Sequence, residues 1–212
     1  MPSPPGLLIR PYQASDHDAV YDVCVRSGDS GGDARGQYPS DDLLPDIYAG
    51  PYLYLEPELA SVLDDRGRAV GYVLGTADTA RFVRRYRQEW LIAVAGRHPE
   101  PASGPASPHD ERLAELYQPE RMLVGELAAY PAHLHIDVLP DYQRRGYGRR
   151  LIETLLDALA RAGAGGVHLA VGTANVGAQE FYKRVGFGLV PVASPAGSVL
   201  FFGRRTPGGH ER

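Results

Sequence analysis

Cysteine is almost absent from this sequence of 212 residues, which contains only Cys24. A single cysteine excludes an intrachain disulfide and any metal cluster that needs several thiolates. It also agrees with a reducing compartment. Because Cys24 lies beside Val20 and Val23 in a segment of helical character, we expect a buried helix position rather than an acetyl-cysteine intermediate.

The sequence also lacks a charge excess and a long hydrophobic run. Its 22 Lys and Arg against 26 Asp and Glu give a formal charge of −4, which argues against a nucleic-acid partner bound through overall charge. No stretch approaches the roughly 18 apolar residues that a membrane span needs, and no leader pattern opens the chain. We therefore expect a cytoplasmic protein with no nucleic-acid and no membrane partner. Its oligomeric state is left open.

What the sequence does contain is an alternation of strand and helix patterns, which predicts one α/β domain over residues 1–212. Residues 98–110 are rich in Pro, Ala and Ser and are expected to form a mobile insertion. Ser15 and Asp18 resemble a capping box at the start of the first helix. The expected strands are 7–10, 60–63, 69–77, 127–138, 166–171, 188–192 and 198–204, and the expected helices are 16–26, 80–97, 146–162 and 176–185.

The segment 138–148 follows a predicted strand and opens a helix with a strong apolar stripe. Its two glycines let the backbone turn tightly, so the amides of 143–148 can face one concavity and bind an anion. The positive end of the helix and Arg144, Arg145 and Arg149 add donors for phosphate oxygens. The segment therefore predicts a pyrophosphate site. P-loop and dinucleotide motifs do not fit, because residue 151 is Leu.

This segment resembles the signature of the GNAT superfamily of acyl-CoA N-acyltransferases: Gln or Arg, two residues, Gly, one residue, then Gly or Ala. A second stretch, with Asn175, Ala178, Phe181-Tyr182-Lys183 and Val185-Gly186-Phe187, is similar to another GNAT motif and follows at the right distance. The resemblance implies a central mixed, mostly antiparallel twisted sheet flanked by helices, with acetyl-CoA as co-substrate.

A closer resemblance covers the first hundred residues. It links this chain to the acetyltransferase-like C-terminal domain of animal O-GlcNAcases and its free-standing bacterial relatives. The matching segments are Tyr38-Pro39, Tyr48, Gly50-Pro51-Tyr52-Leu53, Pro57-Glu58-Leu59 and Gly71-Tyr72.

The GNAT resemblance also implies which residues meet the cofactor. A backbone amide near Val138 would stabilise the developing oxyanion. Tyr182 would protonate the departing thiolate, with simple packing on its helix as the alternative. The implied cofactor-binding residues are Val138, Leu139, Gln143, Arg144, Arg145, Gly146, Tyr147, Gly148, Arg149, Asn175, Phe181 and Tyr182.

The candidate general base is Asp137. If it alternates along a strand with His133 and His135, the three polar groups share one face, and burial would raise the carboxyl pKa toward neutrality. The alternatives are that Asp137 only satisfies donors in a polar layer, or that His133, His135 or an ordered water acts as base. A metal at the two histidines lacks a third ligand, so none is expected.

The function predicted is acetyl-CoA-dependent N-acetylation of a primary amine, on a small molecule or a lysine or peptide, by direct transfer in a ternary complex. The alternatives are a module that binds acetyl-CoA or CoA without transfer, and an enzyme for a longer acyl group. Aspartates in loop 28–42 would either gather a cationic acceptor or be solvated. Tyr38, Tyr48, Tyr52 and Tyr54 would wall an acceptor pocket or pack in the core.

Overall fold

A single seven-stranded sheet organises the protein. The computed structural model describes residues 6–101, 104, 107–192 and 199–208. The strand order is β1-β2-β3-β4-β5-β7-β6. The strands are β1 (Leu7–Pro11), β2 (Ser61–Asp65), β3 (Arg68–Thr76), β4 (Ala132–Val138), β5 (Gly166–Gly172), β6 (Gly188–Val190) and β7 (Val199–Arg205).

Helices cover the sheet on both faces. None of those in the described ranges is both long enough and apolar enough to cross a lipid bilayer. The helices are α1 (His17–Arg26), α2 (Leu43–Tyr48), α3 (Gly50–Leu55), α4 (Thr79–Arg85), α5 (Leu91–Val94), α6 (Pro108–Tyr117), α7 (Tyr147–Arg161) and α8 (Val176–Arg184).

The pairing of the strands confirms the expected mixed, mostly antiparallel sheet. Among the residues that the structure describes, five neighbouring pairs are antiparallel and one, β4 with β5, is parallel. The expected hairpin is β2 and β3, whose turn places Arg66 and Gly67 at φ of 55° and 89°. Two positive φ values in a two-residue turn suit the right-handed twist of the strands that it joins.

The two faces of β4 meet different helices. Leu134, Ile136 and Val138 face the side covered by α7, whose apolar stripe is buried as expected. Each fully buried Leu or Ile on that stripe contributes about 1.5–3 kcal/mol relative to exposure. His133, His135 and Asp137 face the other side, where α1 packs on β3 and presents Val20, Val23 and Cys24. The buried position expected for Cys24 is confirmed.

The predicted helix 80–97 is instead three segments. A π-helical turn, Tyr86–Trp90, separates α4 from α5. Phe82, Tyr86, Trp90 and Val94 are all buried and recur every fourth residue. That spacing drifts off the face of a regular α-helix, and the wider π turn brings these side chains back to one face.

Several predicted boundaries were also wrong. The cap before α1 is formed by Gln13 and Asp16, in a 3-10 turn that precedes the helix. Strand β4 begins at Ala132 because a 3-10 turn and Pro131 come before it. Helix α6 begins inside the predicted insertion, where Ser107 caps it. Residues 102–103 and 105–106 of that insertion, and Ser198 of the last predicted strand, lie outside the described residues.

Candidate active site

The central feature of the sheet is an early end to the pairing of β4 with β5. The two strands are in register only at Ala132 with Val167 and at His133 with His168. Strand β4 nevertheless continues to Val138 and β5 to Gly172. The last five residues of β4 therefore present a main-chain edge that β5 does not cover, within a continuous sheet.

That uncovered edge ends at Val138. The amide of Leu139 donates to the carbonyl of Val70 on β3 at 3.0 Å. Because donors alternate between the two edges of a strand, the N–H and C=O of Val138 face the opposite edge, toward the divergence. The Nε2 of Gln143 donates a hydrogen bond to the Val138 carbonyl oxygen at 2.8 Å. The N–H of Val138 remains directed into the opening, as the oxyanion role requires.

The loop after β4 supplies a row of main-chain donors. In the described part of the chain, none of the amides from Arg144 to Arg149 donates a hydrogen bond. Arg144 and Gly146 have φ of 58° and 85°, and Tyr147 begins α7. Successive amides before the positive end of a 15-residue helix form an anion site. A Cβ at Gly146 would meet nothing within 4 Å, so the space beside the loop is open.

Gly148 and Arg149, which are predicted to bind the cofactor, join α7 to α8. A Cβ on Gly148 would lie 3.1 Å from Cζ of Phe181, so this glycine permits close packing of the aromatic ring. Arg149 Nη2 donates to the carbonyl of Arg184 at 3.2 Å, at the end of α8. Asn175 caps the start of α8 by accepting from the amide of Ala178 at 3.0 Å. These contacts fix the helix that carries Tyr182.

The other residues of this loop that are predicted to bind the cofactor differ in solvent exposure. Arg144 and Arg145 are exposed, whereas Leu139 and Tyr147 are buried beneath the loop. The structure therefore brings the main chain of 143–149 and the two arginines to one surface. It assigns Leu139 and Tyr147 to the core.

Asp137 lies on β4 directly opposite Tyr72 of β3. The Tyr72 hydroxyl donates to Oδ2 of Asp137 at 2.5 Å. Burial of the carboxyl group raises its pKa to about 7, while the hydrogen bond from Tyr72 and, less strongly, the nearby Ser27 hydroxyl oppose the rise. The residue as a whole keeps partial solvent exposure.

The histidines on the same face are poor bases. His133 has both ring nitrogens engaged, Nδ1 with Thr79 Oγ1 at 2.8 Å and Nε2 with Tyr52 Oη at 2.7 Å. Burial lowers the pKa of His133 well below its ordinary value and that of His135 to about 4. In the described ranges, no group of His, Cys, Asp and Glu side chains is placed to hold a metal ion.

Tyr182 lies among the rings of Phe181, Phe187 and Phe202 and is half-buried. Burial, and after it the charge of Asp137, raises the pKa of its phenol. The phenol therefore keeps its proton at ordinary pH. Its hydroxyl forms no hydrogen bond with the described residues, so it is free to donate to a bound molecule. This charge effect shows that Tyr182 lies within electrostatic range of Asp137.

The tyrosines of the first hundred residues have separate roles. Tyr52 is buried and Tyr54 is exposed. Tyr48 donates to Glu115 and accepts from Arg112 Nη1 at 2.9 Å, and its ring centroid is 5.6 Å from that of His135. Tyr48 therefore borders His135, which lies two positions before Asp137 on β4. Sequence reasoning missed four residues of this region. Ser27 and Tyr72 lie beside the Asp137 carboxyl group, and Arg112 and Glu115 bind the Tyr48 hydroxyl.

The acidic loop is largely occupied by its own contacts. Asp33 binds Arg35 with a contact of 2.5 Å, and Asp41 accepts from the amide of Gly36 at 2.8 Å. Asp41 and Asp42 line an open groove of about 590 Å³ on the outer side of α1. Cys24 of α1 lies on the inner side, against the sheet. These aspartates are therefore placed away from the uncovered edge of β4.

Residues 106–187 match the family model described as Acetyltransferase (GNAT) family. The chain belongs to this family of acyltransferases, and the predicted family, fold and class of enzyme are confirmed. Acetyl-CoA is the acyl donor that the GNAT fold uses, so the cofactor prediction is confirmed at the level of the family.

Individual relatives support the same assignment. The crystal structure of SsHAT is 55% identical, covers 95% of this chain and 99% of its own, and has a TM-score of 0.91. Protein O-GlcNAcase of Rattus norvegicus is 25% identical over 92% of this chain, which spans only 22% of that protein. The [Ribosomal protein bS18]-alanine N-acetyltransferase of Escherichia coli (strain K12) is 43% identical over 53 residues, which are 25% of this chain and 36% of the enzyme.

Proposed function

We propose that the protein transfers an acetyl group from acetyl-CoA to a primary amine by direct transfer in a ternary complex. The observation that carries the proposal is the divergence of β4 from β5. It leaves the N–H of Val138, the carboxyl of Asp137 and the amide row of 144–149 along one opening. Those groups meet the three needs of the reaction: anion binding, oxyanion stabilisation and a base.

The donor would bind by its pyrophosphate at the loop before α7. The amides from Arg144 to Arg149 supply the main-chain donors, and the exposed Arg144 and Arg145 add charge-assisted contacts. The open space beside Gly146 admits a phosphate close to the backbone. Pantetheine would then follow the uncovered edge of β4 toward Val138.

Asp137 would take a proton from the acceptor's ammonium group. Its pKa of about 7 matches a base that works near neutral pH. The neutral amine attacks the thioester carbonyl, a C–N bond forms and the C–S bond breaks, while the N–H of Val138 holds the carbonyl oxygen. Tyr182 gives its proton to the departing sulfur, which leaves as the thiol of CoA. The second proton of the nitrogen then restores the tyrosine hydroxyl.

The acceptor would approach on the side of the sheet covered by α1 and α2. Tyr48 and the half-buried Tyr38 border this approach, and Arg112 joins them through bonds of 2.9 Å and 3.4 Å. Both a small amine and a lysine or peptide amine fit this chemistry. The relative that acts on an alanine of a ribosomal protein supports the inclusion of peptide acceptors.

Isothermal titration with acetyl-CoA, CoA and ATP tests the donor site first. Saturable binding of acetyl-CoA and CoA, with none of ATP, is expected. Release of free thiol is then measured with a panel of polyamines, amino sugars and lysine peptides. Turnover of an amine supports the proposal. Donor binding without turnover on any amine would favour a binding module, and absence of donor binding at millimolar concentration would overturn the site.

A further inference from the structure

We infer that Tyr72 is a positioning residue for this reaction: its hydroxyl holds one oxygen of Asp137 and thereby leaves the other oxygen for the acceptor amine. This inference rests on the proposed role of Asp137 as base. It assigns a function to a buried side chain that does not itself touch either substrate.

The geometry of the pair is tightly specified. Tyr72 and Asp137 are direct partners across β3 and β4, and Tyr72 is fully buried. The 2.5 Å contact joins Oη to Oδ2. The neighbouring Gly71 lets the strands approach, because a Cβ there would lie 3.0 Å from the carbonyl oxygen of Asp137. A side chain fixed by sheet register has little freedom to lose when a substrate binds.

The groups around this carboxyl come from four elements. Helix α1 brings Cys24 and, at its end, Ser27; β3 brings Tyr72, α8 brings Tyr182, and β4 itself brings His135. Burial raises the pKa of the thiol and both phenols and lowers that of His135 to about 4. All of these groups are therefore uncharged at neutral pH.

The carboxylate consequently depends on neutral donors. Arg and Lys side chains do not act on the pKa of Asp137 in the described part of the chain, where burial opposes ionisation and Tyr72 and Ser27 favour it. Tyr72 has the larger effect of the two. The Ser27 hydroxyl donates to the carbonyl of Val23 at 2.6 Å, so its proton is already committed to α1.

Loss of the Tyr72 hydroxyl should therefore make Asp137 a weaker acid. The phenol donates a hydrogen bond but transfers no proton. When Asp137 takes the proton of the amine on its second oxygen, the Tyr72 proton stays in place. Without that bond the carboxyl would be protonated at neutral pH and unable to act as a base.

The test is the pH profile of kcat/KM for Tyr72→Phe with the acceptor found for the parent. The acidic limb should move upward by about one pH unit, so that activity below the limb falls about tenfold while the alkaline plateau is kept. Tyr52→Phe is the matched control, because Tyr52 is equally buried on the same face but binds His133. Its limb should stay where the parent has it.

A carboxyl titration by carbon NMR with labelled aspartate separates this inference from the proposed function, because it needs no turnover. An Asp137 titration that moves upward in Tyr72→Phe supports the positioning role even if every acceptor fails. A titration that stays in place overturns it, as does a parallel loss of activity at every pH.

A fluorotyrosine at position 72 serves if the phenylalanine variant does not fold. Fluorine makes the phenol a stronger donor and keeps the ring and hydroxyl. The limb should then move to lower pH. An unchanged or higher limb in this variant would overturn the inference.

Discussion

The two ends of β4 carry similar polar side chains in opposite circumstances. At its start, where β5 is paired, His133 is buried and both ring nitrogens are bonded. At its end, where β5 has diverged, Asp137 keeps partial exposure and one main contact, to Tyr72. The same strand face therefore yields a structural residue where the sheet is closed and a chemical one where it opens.

Removing the carboxylate at the open end should have the largest effect. Asp137→Asn is expected to lower kcat by about 10²–10⁴-fold, because no base of suitable pKa remains, while the affinity for acetyl-CoA is unchanged. Steady-state kinetics and calorimetry measure the two quantities. Activity within a few-fold of the parent would show that water or another group is the base.

The anion loop is tested by Gly146→Val. A non-glycine residue at a φ of 85° is strained by about 1–2 kcal/mol, and its side chain fills the space left for the phosphates, so acetyl-CoA should bind at least about tenfold more weakly. Gly163→Val is a matched control, since Gly163 has a φ of 82° and equally open surroundings beyond the other end of α7. Equal affinities in the two variants would contradict the loop assignment.

Tyr182→Phe should have a smaller effect on turnover. The variant removes a donor to the leaving sulfur but keeps the ring against Phe187 and Phe202. A decrease in kcat of about tenfold to a hundredfold is expected, with little change in the KM for acetyl-CoA. If kcat stays the same and stability falls, the tyrosine serves packing alone.

The buried histidines of β4 and β5 predict a pH dependence of stability. Burial lowers the pKa values of His133, His135 and His168, so the fold keeps these rings neutral where the unfolded chain takes up protons. The free energy of unfolding should therefore fall as pH drops below about 6.5. Asp137 acts in the opposite sense: its raised pKa favours the fold below the ordinary value, and that contribution is lost as pH rises through about 7.

Urea unfolding at several pH values between 4 and 8 measures the net effect of these groups on the free energy of unfolding. The three histidines should outweigh the one carboxyl group, so the protein should be less stable at the acidic end of this range. His133→Gln should give a shallower dependence on pH than the parent. An equally steep curve in that variant would mean that His133 does not contribute through its protonation.

Much of the fold followed from local patterns. The period-two alternation of β4 correctly placed His133, His135 and Asp137 on one face, and the stripe of α7 correctly predicted its buried side. The glycines and arginines of segment 138–148 correctly predicted a turn into a helix. These features depend on residues close together in the chain, which a sequence displays directly.

The rest depended on distant partners. Tyr72 is 65 positions from Asp137, and only the register of β3 on β4 brings their side chains together. The π turn Tyr86–Trp90 likewise follows from a need to bury every fourth residue against the core. The separation of the acidic loop from the open edge depends on α1, which lies between them. The cofactor contacts, the base and the cytoplasmic location stay predictions.

A crystal structure with acetyl-CoA bound would test the central claim most directly. The account predicts the pyrophosphate on the amides between Arg144 and Arg149, and the thioester oxygen on the N–H of Val138 with Asp137 close by. Acetyl-CoA seated elsewhere, for example in the groove outside α1, would contradict the assignment of the divergence between β4 and β5 as the active site.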